Sequence, residues 1–117
     1  MSDSREMVRL AIEALEEKKA IDLRVIDIRQ VSVIADYFII ASGSNVSQVQ
    51  ALADSATEAL ERNGHSPRQI EGYGSASWIL MDYGDIIIHV FSEESRVFYD
   101  LERIWRDGAD VDTESFK

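Results

Sequence analysis

Trp78-Ile79-Leu80-Met81-Asp82-Tyr83-Gly84-Asp85-Ile86-Ile87-Ile88-His89-Val90-Phe91 is the stretch on which the fold turns. Two apolar runs flank a short acidic segment with a glycine, the sequence form of a β-hairpin. With Tyr83-Gly84 as a two-residue turn, Asp82 is expected opposite Asp85, Met81 opposite Ile86, Leu80 opposite Ile87 and Trp78 opposite His89. Strand side chains alternate faces, so this pairing sorts the stretch into two surfaces. One is Ile79, Met81, Ile86, Ile88 and Val90, wholly aliphatic and fit for a core. The other carries Trp78, Leu80, Asp82, Asp85, Ile87, His89 and Phe91. Stability alone gives no reason to gather Trp, Leu, Ile and Phe on a solvent-facing strand surface, and such a patch usually marks a partner site. Opposed carboxylates disfavour pairing unless a cation neutralises them. The expectation is a protein-binding face with an apolar centre and an acidic end.

Composition narrows the partner. The chain has 12 Lys+Arg against 22 Asp+Glu, a net charge of −10 over 117 residues. That field repels nucleic-acid phosphates, and no compensating basic patch stands out, so direct DNA or RNA binding is disfavoured. A basic protein partner is favoured, with electrostatic steering of the encounter. There is no cysteine, which excludes disulfides and thiolate metal sites and suits a reducing compartment. No apolar run approaches the length of a membrane span. Residues Met1 to Glu6 are polar, unlike a signal or transit peptide. The expectation is a soluble cytoplasmic protein with one domain over residues 1–108.

Helical spacing of Val8, Ala11, Ile12 and Leu15 predicts an amphipathic first helix to about Lys19, with Asp3 and Glu6 as its capping box. Ile21 to Arg29 reads as a strand. Leu23 and Val25 share one face while Ile26 and Ile28 share the other, a change of phase that suggests a bulge or burial on both sides. Asp36 to Ser42 is a continuous apolar run, an interior strand. Ser44 or Asn45 caps the next helix, with Gln48 placed to reach back and Val49, Leu52, Ala53, Ala56 and Leu60 as its stripe. Asn63-Gly64 stops it, just before Pro67. Arg68 to Glu71 is a short strand and Gly72 to Ser75 a mobile loop. After the hairpin, Ser92 caps a third helix whose stripe is Val97, Leu101, Ile104 and Trp105, with Gly108 as its end. Residues 109–117 are expected to be an acidic, disordered tail. The order α-β-β-α-β-β-β-α implies an α/β sandwich around a mixed sheet.

Little of this supports catalysis. His65 follows a helix stop and reads as a loop residue. His89 lacks nearby partners for metal or general-base work and reads best as a packed or hydrogen-bonded histidine. Asp82 and Asp85 supply too few oxygens for a divalent ion. Gly43-Ser44 at a helix start resembles the opening of the nucleotidyltransferase motif, which binds phosphate at a helix N-terminus. That chemistry also needs paired carboxylates on the following strand. Here the downstream residues are Ala53-Asp54-Ser55, inside a helix and without a second acid. Capping is the simpler role for Ser44. Trp105 fits helix–sheet packing, Tyr99 fits either a half-buried position or an extension of the hairpin patch, and Trp78 fits partner contact or self-association.

The chain resembles the ribosomal silencing factor family, also called the iojap-type family. The resemblance is carried by Ala35-Asp36-Tyr37-Phe38-Ile39-Ile40, Gln48-Val49, Glu71-Gly72, the stretch from Trp78 to Phe91, and Arg96-Val97-Phe98-Tyr99-Asp100-Leu101-Glu102-Arg103-Ile104-Trp105. Phe98 stands where tyrosine is common and Ile104 where leucine is common. The resemblance implies a nucleotidyltransferase-like α/β fold without catalytic carboxylates, no enzymatic activity and no cofactor or metal. It implies binding to the large ribosomal subunit through its basic protein fourteen, which sterically blocks docking of the small subunit and lowers translation when nutrients are scarce. Members are often homodimeric when free. Trp78, Leu80, Asp82, Gly84, Asp85 and His89 match the hairpin motif, and Arg96 and Tyr99 the helix motif, as protein-binding residues. Physically, Trp78 and Leu80 would be desolvated anchors, Asp82 and Asp85 partners for lysine or arginine, and Gly84 the turn. The competing readings are a nucleotide-binding or nucleotidyltransferase-type enzyme and a generic dimeric adaptor for some other basic protein.

Overall fold

The computed structural model describes residues 4–117. The first helix, α1, runs Ser4–Glu17 and buries Val8, Ala11, Ile12 and Leu15, the residues its spacing selects. The cap expected at Asp3 lies outside the described residues. Strands β1 (Ile21–Asp27) and β2 (Tyr37–Gly43) follow, then helix α2 (Val46–Arg62) and strands β3 (Gln69–Glu71), β4 (Trp78–Asp82) and β5 (Ile86–Ser92). Asn45 caps α2 by accepting from the Gln48 backbone N–H, and the Gln48 side chain accepts from the Ser44 N–H in return.

The strands form a six-stranded sheet in the order β3-β4-β5-β2-β1-β6, where β6 is Ala109–Val111. Only the central pair, β2 with β5, is parallel among these neighbours. Every residue of β2 is buried, as an apolar run without alternation requires. The change of phase in β1 reflects burial on both sides, Val25 entering one core and Ile26 and Ile28 another, while a register shift lies upstream between Ile21 and Arg24, with Asp22 at φ 48°. Helices α1 and α2 cover one face of the sheet. Their stripes meet Val25, Ile39, Ile79, Met81, Ile86, Ile88 and Val90 in the main core, so the aliphatic side of the hairpin is buried as expected.

The hairpin register differs from the expected one. Trp78 opposes Phe91, Leu80 opposes His89 and Asp82 opposes Ile87. The cause is the turn, which closes over Gly84-Asp85. Gly84 takes φ +85°, and Tyr83 N–H donates to the Ile86 carbonyl at 3.0 Å. The displacement is two residues, which preserves both faces. Asp82 and Asp85 are not opposed. The Asp82 carboxylate instead accepts from the Gly84 N–H at 2.8 Å.

Three further expectations are corrected. Gly72 to Ser75 is not free: Tyr73 donates its hydroxyl to Asp54, and Gln50 donates to the Tyr73 carbonyl. The third helix is broken. It runs Glu93–Tyr99 (α3), then Asp100 adopts a left-handed conformation, φ 46°, and α4 covers Leu101–Ile104. The break shifts the helical phase, so Val97 and Ile104 leave the expected stripe for solvent while Leu101 is buried. Residues 109–117 are ordered. β6 pairs with β1, and a 3-10 helix at Thr113–Phe116 buries Phe116 against Tyr37, beneath the Arg5 guanidinium. Acidic composition signalled solvation, but an alternating Ala-Asp-Val run and one aromatic suffice to dock the segment.

Candidate protein-binding face

The sheet's second face carries a smaller core of Ile26, Ile28, Ala35, Phe38, Ile40, Phe91 and Leu101, edged by half-buried Trp78, Ile87 and Trp105. Its cover is incomplete. Trp105 and Leu101 shield β1 and β2, with the Trp105 ring edge-on to Phe38 at 4.9 Å. Toward β4 the cover thins, and Trp78, Leu80 and Asp82 stay partly exposed. The apolar residues of the hairpin's second surface thus divide between a small core and an open margin.

Helix α3 borders that margin and is held by Arg96. Arg96 is 8% exposed. Its guanidinium donates to Ser42 Oγ at 2.9 Å and to Glu102 at 2.8 and 3.0 Å, and lies 3.4 Å from Asp22. Helix α3 is thereby tied to β2, to the bulge of β1 and to α4. So held, it lays Tyr99 on Trp78, with centroids 4.7 Å apart, and turns Phe98 edge-on to Tyr99 at 5.0 Å. Phe98 is 78% exposed and Tyr99 43%. Trp78 continues the aromatic contact inward by stacking on buried Phe91 at 5.0 Å.

His89 lies beneath this surface. Its Nδ1 accepts from the Trp78 indole N–H at 3.1 Å, which places the ring proton on Nε2. Desolvation lowers its pKa from 6.5 to about 3, so the ring is neutral at physiological pH. It packs edge-on to Phe38 at 4.8 Å.

The expected site residues therefore occupy different settings. Trp78, Leu80 and Tyr99 form one apolar margin with Asp82 beside it. Gly84 and exposed Asp85 sit at the hairpin turn, where the Asp85 carbonyl accepts from Asp36 N–H at 2.7 Å. His89 and Arg96 are buried and act from within, His89 by orienting Trp78 and Arg96 by orienting α3. The sequence reading did not place on this face Phe98, which is exposed on α3, or Glu71, which β3 sets opposite Leu80. The Glu71 position follows once the pairing of β3 with β4 is known. No group of three or more His, Cys, Asp or Glu side chains suited to a metal ion occurs among the described residues.

Residues 1–117 match the family described as "Ribosomal silencing factor during starvation". The chain is 36% identical over 111 residues to a protein of Halalkalibacterium halodurans named ribosomal silencing factor RsfS, covering 95% of each. It is 36% identical over 112 residues to the protein of that name in Bacillus subtilis, covering 94% of this chain and 95% of the relative. A crystal structure of a Chromobacterium violaceum protein superposes with a TM-score of 0.86 at 36% identity, covering 89% of this chain and 87% of the other.

Proposed function

The chain belongs to the ribosomal silencing factor family, and from that membership we propose that it binds the large ribosomal subunit through basic protein fourteen and sterically blocks docking of the small subunit. Translation then falls when nutrients are scarce. The protein acts in the cytoplasm and without catalysis, on a nucleotidyltransferase-like scaffold that lacks the paired carboxylates of the enzymes. In the free state the same apolar margin supports a homodimer. The observation that carries the reading is the aromatic surface of half-buried Trp78 with exposed Tyr99 and Phe98 on a chain of net charge −10. Large aromatics beside carboxylates form the kind of centre and rim that a cationic protein surface completes.

Sedimentation of the protein with isolated large subunits through sucrose gradients tests it. Wild type travels with the subunit and reduces small-subunit joining. Trp78→Ala weakens binding by about 2 kcal/mol if the indole is a desolvated anchor. Asp85→Lys combined with Asp82→Asn, which keeps an acceptor for the Gly84 N–H, removes the acidic end and abolishes binding. Full retention of the large subunit by that double variant rules out this face. Nucleotide with magnesium gives neither heat of binding nor turnover.

A further inference from the structure

Beside Trp78 the margin dips into a concavity lined by Glu71, Gly72, Trp78 and Leu80. We infer that this concavity receives one arginine or lysine side chain of the basic ribosomal partner, with Glu71 as the carboxylate that selects it. The inference rests on the proposed ribosome binding and names the chemistry of one contact within it.

The site is built before any partner arrives. Register places Glu71 directly opposite Leu80, and Trp78 shares the Leu80 face two residues away. Gly72 forms the wall at φ +83°, where a Cβ would overlap the Trp78 carbonyl oxygen, so only glycine lets the end of β3 close onto β4 here. The loop beyond is pinned to α2 through Tyr73, Asp54 and Gln50. Gln69, on the same strand face, donates to the Glu71 carboxylate and orients it. Among the described residues Glu71 has no ion-pair partner.

These features choose the occupant. An aliphatic or aromatic side chain would cover Trp78 and Leu80 but leave the Glu71 carboxylate desolvated and unpaired, which is costly. A long cationic side chain satisfies both halves. Its methylene stem lies along Trp78 and Leu80 while its charged head reaches Glu71 and the indole face. The net charge of −10 supplies the complementarity for a basic partner.

The test compares binding of Glu71→Gln, Glu71→Lys and Glu17→Gln proteins to purified large subunits at low and moderate salt. Glu17 is exposed on α1, away from the face, and controls for net charge. Glu71→Gln is expected to bind about tenfold more weakly at low salt and to show a shallower salt dependence, and Glu71→Lys about a hundredfold more weakly. Thermal unfolding should be unchanged, because Glu71 is exposed. If Glu71→Gln behaves as Glu17→Gln does, the cation receptacle is wrong while ribosome binding by the face stands. If wild type itself fails to bind, both fall.

Discussion

The indole N–H of Trp78 and the Nδ1 of His89 meet at 3.1 Å diagonally across the β4–β5 ladder. A surface aromatic is thus aimed by a buried imidazole, and the bond requires that imidazole to be neutral.

This pair makes stability depend on pH. Burial lowers the His89 pKa from 6.5 to about 3. Between those values the unfolded chain binds a proton that the folded chain refuses. The stabilisation is complete above 6.5 and is lost as pH falls toward 3, at up to about 1.4 kcal/mol per pH unit. Urea unfolding of wild type and His89→Phe at pH 7, 5.5 and 4.5 checks this. Wild type should lose more stability than the variant over that interval, and parallel losses would contradict a neutral buried imidazole.

Arg96 should be a stability residue with an indirect effect on binding. Arg96→Ala leaves Ser42 Oγ and the half-buried Glu102 carboxylate without their donor. A loss of about 3 kcal/mol in denaturant unfolding is expected, near the lower end for breaking a buried pair because Glu102 and Asp22 keep some water. A Glu102→Gln, Arg96→Ala cycle should show coupling above 1 kcal/mol, roughly the level expected of residues in one network. Additive effects would remove Arg96 from that role.

Two glycines of similar φ should respond differently to alanine. Gly64 has φ +87° with nothing within 4 Å of an added Cβ, so Gly64→Ala should cost only the left-handed penalty of about 1 kcal/mol. Gly72 adds a collision with the Trp78 backbone at φ +83°. Gly72→Ala should cost clearly more in thermal unfolding and should also disturb Trp78 fluorescence. Equal costs would mean that β3 can move away freely.

Phe116 tests the ordered end of the chain. It is 6% exposed and edge-on to Tyr37 at 5.5 Å. Phe116→Ala should lower the unfolding free energy by about 3 kcal/mol, the usual scale for a truncated core phenylalanine. A change near zero would show that the terminal segment does not support the core.

What could be read in advance follows physical strength of signal. Alternation in Ile79, Met81, Ile86, Ile88 and Val90 has one stable outcome, burial on a single face, and survived a wrong turn assignment because the displacement was two residues. The unbroken run of β2 likewise has one outcome. The break at Asp100 was not legible, since aspartate adopts the left-handed conformation only occasionally and its position in the chain does not mark when it will. The ordering of 109–117 depends on the free edge of β1, which no local pattern reveals. At the candidate site, alternation alone put Trp78 and Leu80 on the outward face of the hairpin, while Tyr99 fitted two settings equally well. His89 and Arg96 were recognised, but their burial depended on elements distant in sequence.

The parallel ladder between β2 and β5 also governs how quickly the native state is reached. The β4–β5 hairpin closes over a few residues, whereas β2 and β5 meet only after α2, β3 and β4 have been brought round between them. Such non-local closure is entropically slow. Substitutions in the central ladder should therefore appear chiefly in the refolding limb of a chevron plot, and those under Trp105 chiefly in the unfolding limb.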